Sequence, residues 1–313
     1  MSKIVVLGAN GFIGKHLVRN LAESEEDEIT AFGHFSKYQI GEEHPFVGLS
    51  NVSIVAGDFF NRSDIAPILD GADYVFHFIS STNPAASNND PIVDIDTNIR
   101  NSVELFELCS EKGVKKIIFP SSGGTVYGNL DSARISENDI PKPQSPYGIG
   151  KLTLEHYLRY FKANTDMDYV VYRIANPYGP GQNIYGRQGV IPIFMHKFLV
   201  GSPLTIYGDG SMVRDYVYID DLVKLIINSY SKPHRHNEYN LGSGEGTSVN
   251  QIIQAIESCT DIKPDKETLE TPKSFVYKSV LDTTRYRDEF GEISLTSLDE
   301  GIKRTWEYVK KLS

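Results

Sequence analysis

The sequence has very little cysteine, no surplus of positive charge and no long apolar run. Its 313 residues include two cysteines, Cys109 and Cys259, too few for a disulfide framework and without metal-ligand spacing. The formal net charge of -10 gives no basic surface for nucleic acid. No apolar run approaches the roughly 20 residues that span a bilayer, and the first strand begins too early for a signal peptide. We therefore expect a cytoplasmic protein with no nucleic acid, membrane or metal partner.

A glycine-rich turn follows the first apolar run directly. Ile4 to Leu7 lead into Gly8, Gly11 and Gly14, and apolar residues at helical spacing come next. Glycines without Cβ atoms allow a pyrophosphate to approach the amides at a helix N-terminus. The spacing predicts a dinucleotide-binding turn, with a purely structural strand-to-helix turn as the alternative.

A second motif lies downstream, where Tyr147 and Lys151 are four residues apart in a helical pattern. This spacing predicts that both side chains emerge on one face of the helix. A free phenol has a pKa of about 10, and a nearby cation favours the phenolate and lowers that value. The pair therefore suits proton transfer beside a nicotinamide cofactor, although such a spacing also arises by chance on exposed helices.

Strand-like and helical patterns alternate along the first half of the chain. Strands are predicted near 3-8, 28-32, 52-56, 73-79, 115-120 and 168-174, and helices near 12-23, 62-69, 92-112 and 146-164. Alternation of this kind predicts an α/β fold with a parallel, doubly wound sheet. Beyond Asn176 the pattern is irregular, with clusters of proline and glycine.

Ordered motifs along nearly the whole chain resemble the extended short-chain dehydrogenases/reductases of the nucleotide-sugar epimerase/dehydratase group, closest in pattern to UDP-galactose (UDP-glucose) 4-epimerases. The matching segments are the glycine turn, Gly57-Asp58, Val75-Phe76-His77, 120-128, 145-148, 173-182, 207-210 and 214-216. The resemblance implies a Rossmann-type domain over 1-175 with about 216-241, and a smaller C-terminal α/β substrate-binding domain over 176-215 and 242-313.

The resemblance also implies the cofactor and the residues that bind it. We expect NAD, with NADP as an open alternative. The expected cofactor-binding residues are Gly8, Asn10, Gly11, Phe12, Ile13, Gly14, Gly33, His34, Asp58, Phe59, Phe78 and Lys151. The helices near 92-112 and 146-164 pack against their copies in such proteins, so the resemblance implies a homodimer.

The first departure from the family pattern concerns the end of the second strand. An acidic residue usually lies there and binds the adenosine ribose of NAD, but this chain has Gly33. No carboxylate at that place would repel a 2′-phosphate, and His34, Ser36 and Lys37 could bind one. This departure keeps NADP open, although glycine is compatible with NAD held through the backbone and Asp58.

The second departure concerns the hydroxyl that assists the tyrosine. Gly123 occupies the place where UDP-galactose 4-epimerases often have serine, so Ser122 or Thr125 must supply that hydroxyl if one is needed. Dehydratases of this group carry an acidic pair at the same turn. Glycines here argue against dehydration. The expected catalytic residues are Tyr147, Lys151, Ser122 and Thr125.

Expected substrate contacts come largely from the second half of the chain. Asn176 and Arg214 match positions that bind the nucleotide-sugar phosphates, and guanidinium suits phosphate because it makes paired, charge-assisted bonds. A salt bridge between Arg214 and Asp215 is the alternative. An arginine expected within 272-275 is absent, with Lys273 as a substitute. The expected substrate-binding residues are Ser122, Tyr147, Asn176, Val190, Tyr207, Arg214 and Ser279, the last small enough to admit an N-acetylated sugar.

These residues predict a nucleotide-sugar 4-epimerase for a UDP-hexose or UDP-N-acetylhexosamine, with bound NAD and a transient 4-keto intermediate. The main alternative is an NADPH-dependent 4-keto-6-deoxy nucleotide-sugar reductase, which uses the same tyrosine and lysine and is favoured by Gly33. Weaker alternatives are a decarboxylating enzyme for UDP-glucuronate and a non-catalytic dinucleotide-binding protein.

Overall fold

A computed structural model describes residues 1–35, 45–82, 87–88, 90–130, 132–186, 189–271 and 276–312. The chain divides into two compact units. The first comprises Met1–Ser121, Ser145–Tyr172 and Ile226–Glu238, and the second comprises Ser122–Gln144, Arg173–Leu225 and Tyr239–Ser313.

The strands match the sequence prediction closely in the first half and add several short ones in the second. In chain order they are β1 Lys3–Leu7, β2 Glu28–Gly33, β3 Val52–Ala56, β4 Tyr74–His77, β5 Lys116–Ser122, β6 Asp168–Ile174, β7 Asn176–Tyr178, β8 Leu204–Tyr207, β9 Val213–Tyr218, β10 Glu238–Leu241, β11 Gly246–Ser248, β12 Lys266–Leu269 and β13 Lys278–Ser279.

Two helices depart from the prediction; the one predicted near 62-69 is α-helical only to Ile65 and continues as a 3₁₀ helix over Ala66–Leu69. The α-helices are α1 Phe12–Leu21, α2 Arg62–Ile65, α3 Pro91–Asp94, α4 Arg100–Glu111, α5 Pro146–Asn164, α6 Val190–Val200, α7 Ile219–Ser229, α8 Val249–Thr260, α9 Thr284–Phe290 and α10 Leu298–Val309. The single helix predicted near 92-112 is interrupted, because a π-helical turn at Ile95–Ile99 separates α3 from α4. None of the described helices is long and apolar enough to cross a membrane.

Seven strands form one parallel sheet in the order β10-β6-β5-β4-β1-β2-β3. The order reverses between β1 and β4, whose registers pair Leu7 with His77. In doubly wound sheets, ligands bind beyond the carboxyl ends of the strands at such a reversal. The predicted α/β, Rossmann-type fold is confirmed.

The first unit has an apolar core between its strands and the helices on the sheet. Fully buried side chains from β1, β2 and β5, among them Leu7, Phe32 and Phe119, pack with Phe106 of α4 and Leu154 of α5. Burial of apolar side chains on both faces is typical of a parallel sheet covered by helices. This core fixes the ends of β1, β4 and β5 and the start of α5.

The second unit has short sheets built around β9. Strand β9 pairs with β7 and β13 in parallel and with β11 in antiparallel orientation, and β8 pairs with β12. In the register of β9 and β13, Arg214 lies opposite Ser279. Two residues 65 positions apart in the sequence thereby become neighbours.

Candidate functional site

The glycine turn after β1 is closed by backbone contacts that leave no room for side chains. The amides of Gly8 and Ala9 donate to Phe32 O at 2.9 and 3.0 Å, and Gly8 has a φ of +84°. A Cβ on Gly14 would lie 2.1 Å from Gly8 O, and one on Gly8 would lie 2.8 Å from Phe78 O. These glycines are required because strand, helix and the chain after β4 approach one another here.

The N-terminus of α1 fits the diphosphate of a dinucleotide. Gly11 occupies the N-cap without a side-chain hydrogen bond to the helix, and the first turn has no acidic residue. The amides that follow, at Phe12 and Ile13, therefore keep their donors and the positive end of the helix dipole for an anion. The predicted cofactor-binding turn therefore offers the backbone N–H donors that the diphosphate of the cofactor needs.

The space beside Gly33 is filled by an asparagine. A Cβ on Gly33 would lie 2.5 Å from Asn10 Oδ1, and Asn10 Nδ2 donates to His34 O at 2.6 Å. The place of the usual acidic residue is therefore taken by an amide held against the backbone. Ser36 and Lys37, the other proposed partners of a 2′-phosphate, lie outside the described residues.

Asp58 and its neighbour lie after β3. The exposed Asp58 accepts a hydrogen bond from Phe60 N at 3.0 Å, and Phe59 is buried with its ring centroid 5.2 Å from that of His77. Phe59 thus packs in the apolar core beside His77, whereas the Asp58 side chain is accessible.

Tyr147 and Lys151 lie in the first two turns of α5, as their spacing predicts. Ser145 caps this helix by accepting from Gly148 N at 3.2 Å. Lys151 is buried; its Nζ donates to Pro120 O at 2.9 Å and lies 5.7 Å from the centroid of the Tyr147 ring. The backbone at the end of β5 thus holds the ammonium group close to the phenol.

The pKa of the Tyr147 phenol is raised, whereas the spacing to Lys151 predicted that it would be lowered. Burial raises the pKa of Tyr147 to about 12, and the carboxylate of Asp94 adds to this. Burial also lowers the pKa of Lys151 to about 8, against the opposing charges of Asp94 and Glu155. Desolvation of both groups outweighs the attraction between ammonium and phenolate that the spacing suggested.

Buried polar side chains surround the pair in the first unit. His77 at the end of β4 makes a 2.7 Å hydrogen bond through Nε2 to Ser102 Oγ, and burial together with the Lys151 charge lowers its pKa to about 3, so the ring is neutral. Asp94 and Glu155 are buried as well. The sequence analysis did not identify either acid as a site residue. The spacing of Asp94 and Asn98, four residues apart in a helical stretch, would have indicated Asp94.

The turn after β5 carries the candidate hydroxyls. Thr125 N donates to Ser122 O at 3.1 Å, and Thr125 Oγ1 is buried without a hydrogen-bond partner among the described residues. A Cβ on Gly123 would lie 2.6 Å from Leu281 Cδ1 and 3.1 Å from Arg173 O. Leu281 therefore occupies the room that a side chain at 123 would need.

The candidate phosphate-binding residues lie on and beside β9. Asn176 Nδ2 donates to Asp215 O at 2.9 Å, and Arg214 donates to Val213 O at 2.9 Å and to Val276 O. The alternative salt bridge between Arg214 and Asp215 is absent, because the Asp215 carboxylate instead accepts from the 243-244 loop and from Leu281 N. Arg214 is thus held by carbonyl groups and keeps its positive charge uncompensated by Asp215.

Three further substrate candidates are described. Ser279 is buried and its Oγ donates to Gly123 O at 3.4 Å. Val190 is the first residue of α6, and Tyr207 is the exposed last residue of β8. Lys273 and the rest of 272–275 lie outside the described residues.

Comparison with known proteins identifies the family. The sequence profile of the NAD dependent epimerase/dehydratase family matches residues 4–242. The chain belongs to this family. It is accordingly an enzyme of the NAD-dependent extended short-chain dehydrogenase/reductase type.

Individual members of the family are similar over the full length. The chain is 31% identical to a UDP-glucose 4-epimerase of Mycolicibacterium smegmatis, with 99% of each chain covered. It is also 31% identical to a dTDP-4-dehydro-6-deoxyglucose reductase of Escherichia coli, over 96% of this chain and 95% of the relative. A crystal structure of UDP-glucose 4-epimerase with UDP-glucose from Thermotoga maritima is 35% identical, with a TM-score of 0.91 and 99% of each chain covered.

Proposed function

We propose that the protein is a nucleotide-sugar 4-epimerase that acts on a UDP-hexose or UDP-N-acetylhexosamine with bound NAD. The observation that carries this proposal is the pair of half-buried Tyr147 and buried Lys151, which lies in the same unit as a glycine turn that fits a dinucleotide diphosphate. Residues 1-175 with 216-241 bind the cofactor in this proposal, and 176-215 with 242-313 bind the nucleotide sugar.

Tyr147 moves the proton of the sugar 4-hydroxyl. NAD would be held at the glycine turn of Gly8, Gly11 and Gly14, and it would supply reversible hydride transfer at C4 of the sugar, so that no net oxidation results. Because burial raises the pKa of Tyr147 to about 12, positive charge close to its oxygen must stabilise the phenolate before Tyr147 can accept the sugar proton near neutral pH. Lys151, oriented by Pro120 O, is the cation that lies beside the Tyr147 ring.

Arg214 and Asn176 hold the diphosphate, while the sugar must be free to turn. The guanidinium is fixed by two carbonyl groups, which leaves its remaining donors for phosphate oxygens. Ser279, opposite Arg214 in the register of β9 and β13, is small. A firmly bound diphosphate and a loosely bound hexose are what inversion at C4 requires.

The first test follows UDP-N-acetylgalactosamine and UDP-galactose by proton NMR, with purified protein and no added cofactor. The expected result is formation of the gluco epimer of at least one sugar. Which of the two sugars is converted faster tests whether Ser279 admits an N-acetylated sugar. If neither sugar changes while NAD is present in the protein, epimerisation of these substrates is excluded.

The alternative of a 4-keto-6-deoxy nucleotide-sugar reductase is supported by Gly33 and by the Escherichia coli relative. Release of the cofactor by denaturation distinguishes the two activities. An epimerase is expected to carry tightly bound NAD, whereas a reductase is expected to consume added NADPH with a 4-keto-6-deoxy sugar.

The hydroxyl of Thr125, which has no hydrogen-bond partner among the described residues, is our candidate for the group that binds the reacting sugar oxygen. Thr125→Val keeps the shape of the side chain, so we expect little change in melting temperature because no hydrogen bond to a described residue is lost. We expect kcat to fall about 10- to 100-fold, the worth of one hydrogen bond to a charged group. If Ser122→Ala lowers kcat and Thr125→Val does not, the hydroxyl is that of Ser122.

We also propose that the protein forms a homodimer through α5. Ile149 and Tyr160 on this helix are 51% and 58% exposed, and Tyr157 at the same helical spacing is exposed too. An apolar stripe of this kind is suited to packing against a second copy. Sedimentation should show a dimer that Ile149→Glu converts to monomer, whereas the control Ile140→Glu, at another exposed isoleucine, should remain dimeric. A monomeric wild type would contradict the proposed dimer.

The cytoplasmic location of the protein stays a prediction.

A further inference from the structure

Gly150 lies between Tyr147 and Lys151 and leaves space for a buried carboxylate. A Cβ on Gly150 would lie 2.5 Å from Asp94 Oδ2. Gly150 is inside α5 and does not have a positive φ, so the backbone conformation does not require glycine there. The close approach of Asp94 is the physical reason that a larger residue does not fit.

Asp94 is held rigidly by its other oxygen. Its Oδ1 accepts hydrogen bonds from Thr82 Oγ1 and from Asn98 Nδ2, the latter at 2.9 Å, and the residue is 2% exposed. Asn98 is fixed in turn, because its Oδ1 accepts from Ser81 N at 3.0 Å. Oδ2 accepts no hydrogen bond within the described part of the chain and faces Gly150, in a cavity that Tyr147 and Lys151 also line.

The backbone around Asp94 has an unusual conformation, and it places the Asp94 side chain beside Gly150. Asp94 is the last residue of α3, and the π-helical turn Ile95–Ile99 begins directly after it. Two carbonyls of this turn, those of Asp96 and Thr97, are satisfied by Asn101 Nδ2 at 2.7 and 3.1 Å. Single π-turns are rare and occur frequently at functional sites.

Among the described residues, His77, Asp94 and Tyr147 line this cavity with Lys151, and the charge of the buried Glu155 also acts on the lysine. His77 and Tyr147 are neutral because their pKa values are about 3 and about 12, whereas the charges of Asp94 and Glu155 raise the pKa of Lys151 against the effect of burial. Glu155 accepts a hydrogen bond from Ser121 Oγ at 2.5 Å, which draws part of its charge away from the lysine. Asp94 is thus the principal counter-charge of Lys151, and without it burial would favour the neutral amine further.

We propose that Asp94 is a positioning residue of this enzyme, whose fixed carboxylate, packed against Gly150, keeps Lys151 a cation beside Tyr147. This inference rests on the proposed proton transfer by Tyr147. It assigns a task to a residue outside the tyrosine–lysine motif and explains the glycine within the motif.

The test compares Asp94→Asn with Asp96→Asn, both in the NAD-loaded protein. Asparagine keeps the Oδ1 acceptor of Asp94 and removes only its charge, while Asp96 is exposed two residues away. In the wild type, kcat should decline as pH rises through about 8, since the Lys151 charge is lost there. In Asp94→Asn the midpoint should move about one pH unit lower, the effect of removing one opposite charge, whereas Asp96→Asn should behave as wild type.

Two further measurements distinguish a positioning role of Asp94 from other roles of this residue. KM for the nucleotide sugar should stay within about 2-fold in Asp94→Asn, because the proposal gives Asp94 no contact with substrate. Gly150→Ala keeps every charge but displaces the carboxylate, so its pH profile should move in the same direction. A profile of Asp94→Asn that matches Asp96→Asn, or a raised KM with unchanged kcat, overturns the proposal.

A measurement without turnover distinguishes this proposal from the proposed function. After removal of the cofactor, calorimetry is expected to show that NAD affinity declines at a lower pH in Asp94→Asn than in the wild type, since Lys151 is an expected cofactor contact. If the wild type does not act on UDP-sugars but this shift is present, only the proposed function fails. If the wild type is active and neither profile shifts, only the assignment of Asp94 fails.

Discussion

Tyr147→Phe is expected to lower kcat by about 10²- to 10⁴-fold, the usual contribution of a positioned acid-base group. The variant should still bind NAD and nucleotide sugar, because the ring stays in place and only the hydroxyl is lost. Its melting temperature should also match that of the wild type, since the hydroxyl makes no hydrogen bond with the described residues. Progress curves by proton NMR measure the loss of kcat, calorimetric titration measures binding of the nucleotide sugar, and thermal melting checks the stability.

The matched control for this variant is Tyr160→Phe, which removes the same hydroxyl from an exposed position of the same helix. It should retain full turnover, because an aromatic ring remains on that surface. If Tyr147→Phe retained more than about a tenth of wild-type kcat, another group would have to move the proton, and the proposed mechanism would be wrong.

Gly14→Ala is expected to destabilise the protein by about 1–3 kcal/mol, as overpacking of a filled site does, and to abolish NAD binding. The added Cβ would lie 2.1 Å from Gly8 O and 3.0 Å from Ala9 Cα, both backbone atoms of the turn. Helix α1 would have to move away from β1, taking the first-turn amides with it. Thermal melting and the NAD content of the purified protein measure the two effects.

Gly11→Ala is the matched control, since its Cβ would meet the same Gly8 O at 3.1 Å. A shift of a few tenths of an ångström relieves that contact, so the loss of stability should be clearly smaller than for Gly14→Ala. Equal melting temperatures and full NAD content in both variants would show that α1 can move without losing the cofactor.

The regular part of the fold was predictable because it depends on local pattern. Alternating strands and helices in the first half correctly indicated the parallel sheet, and β6 was predicted with its observed bounds. The break at Ile95–Ile99 was not predicted, because a π-helical turn has the same apolar spacing as a continuous helix over so short a stretch. The pairings around β9 and β8 were missed as well, because clusters of proline and glycine interrupt the regular alternation of strands and helices beyond Asn176.

Some features of the candidate site likewise depend on short stretches of sequence, and others depend on the tertiary structure. The glycine spacing and the Tyr147–Lys151 spacing are short-range features, so the sequence by itself determined the cofactor turn and the reactive pair. Burial is a property of the folded chain, and it decided that the pKa of Tyr147 is raised rather than lowered. It likewise left the hydroxyl of Thr125 without a partner among the described residues.

Contacts between distant segments were decided only by the tertiary structure. Asp94 meets Gly150 across 56 residues, Asn10 fills the space beside Gly33, and Arg214 lies opposite Ser279. A sequence records which side chains are available but not which ones packing brings together. The local chemistry of this enzyme was therefore determined by its sequence, whereas the charges around that chemistry were set by the folding of remote segments against one another.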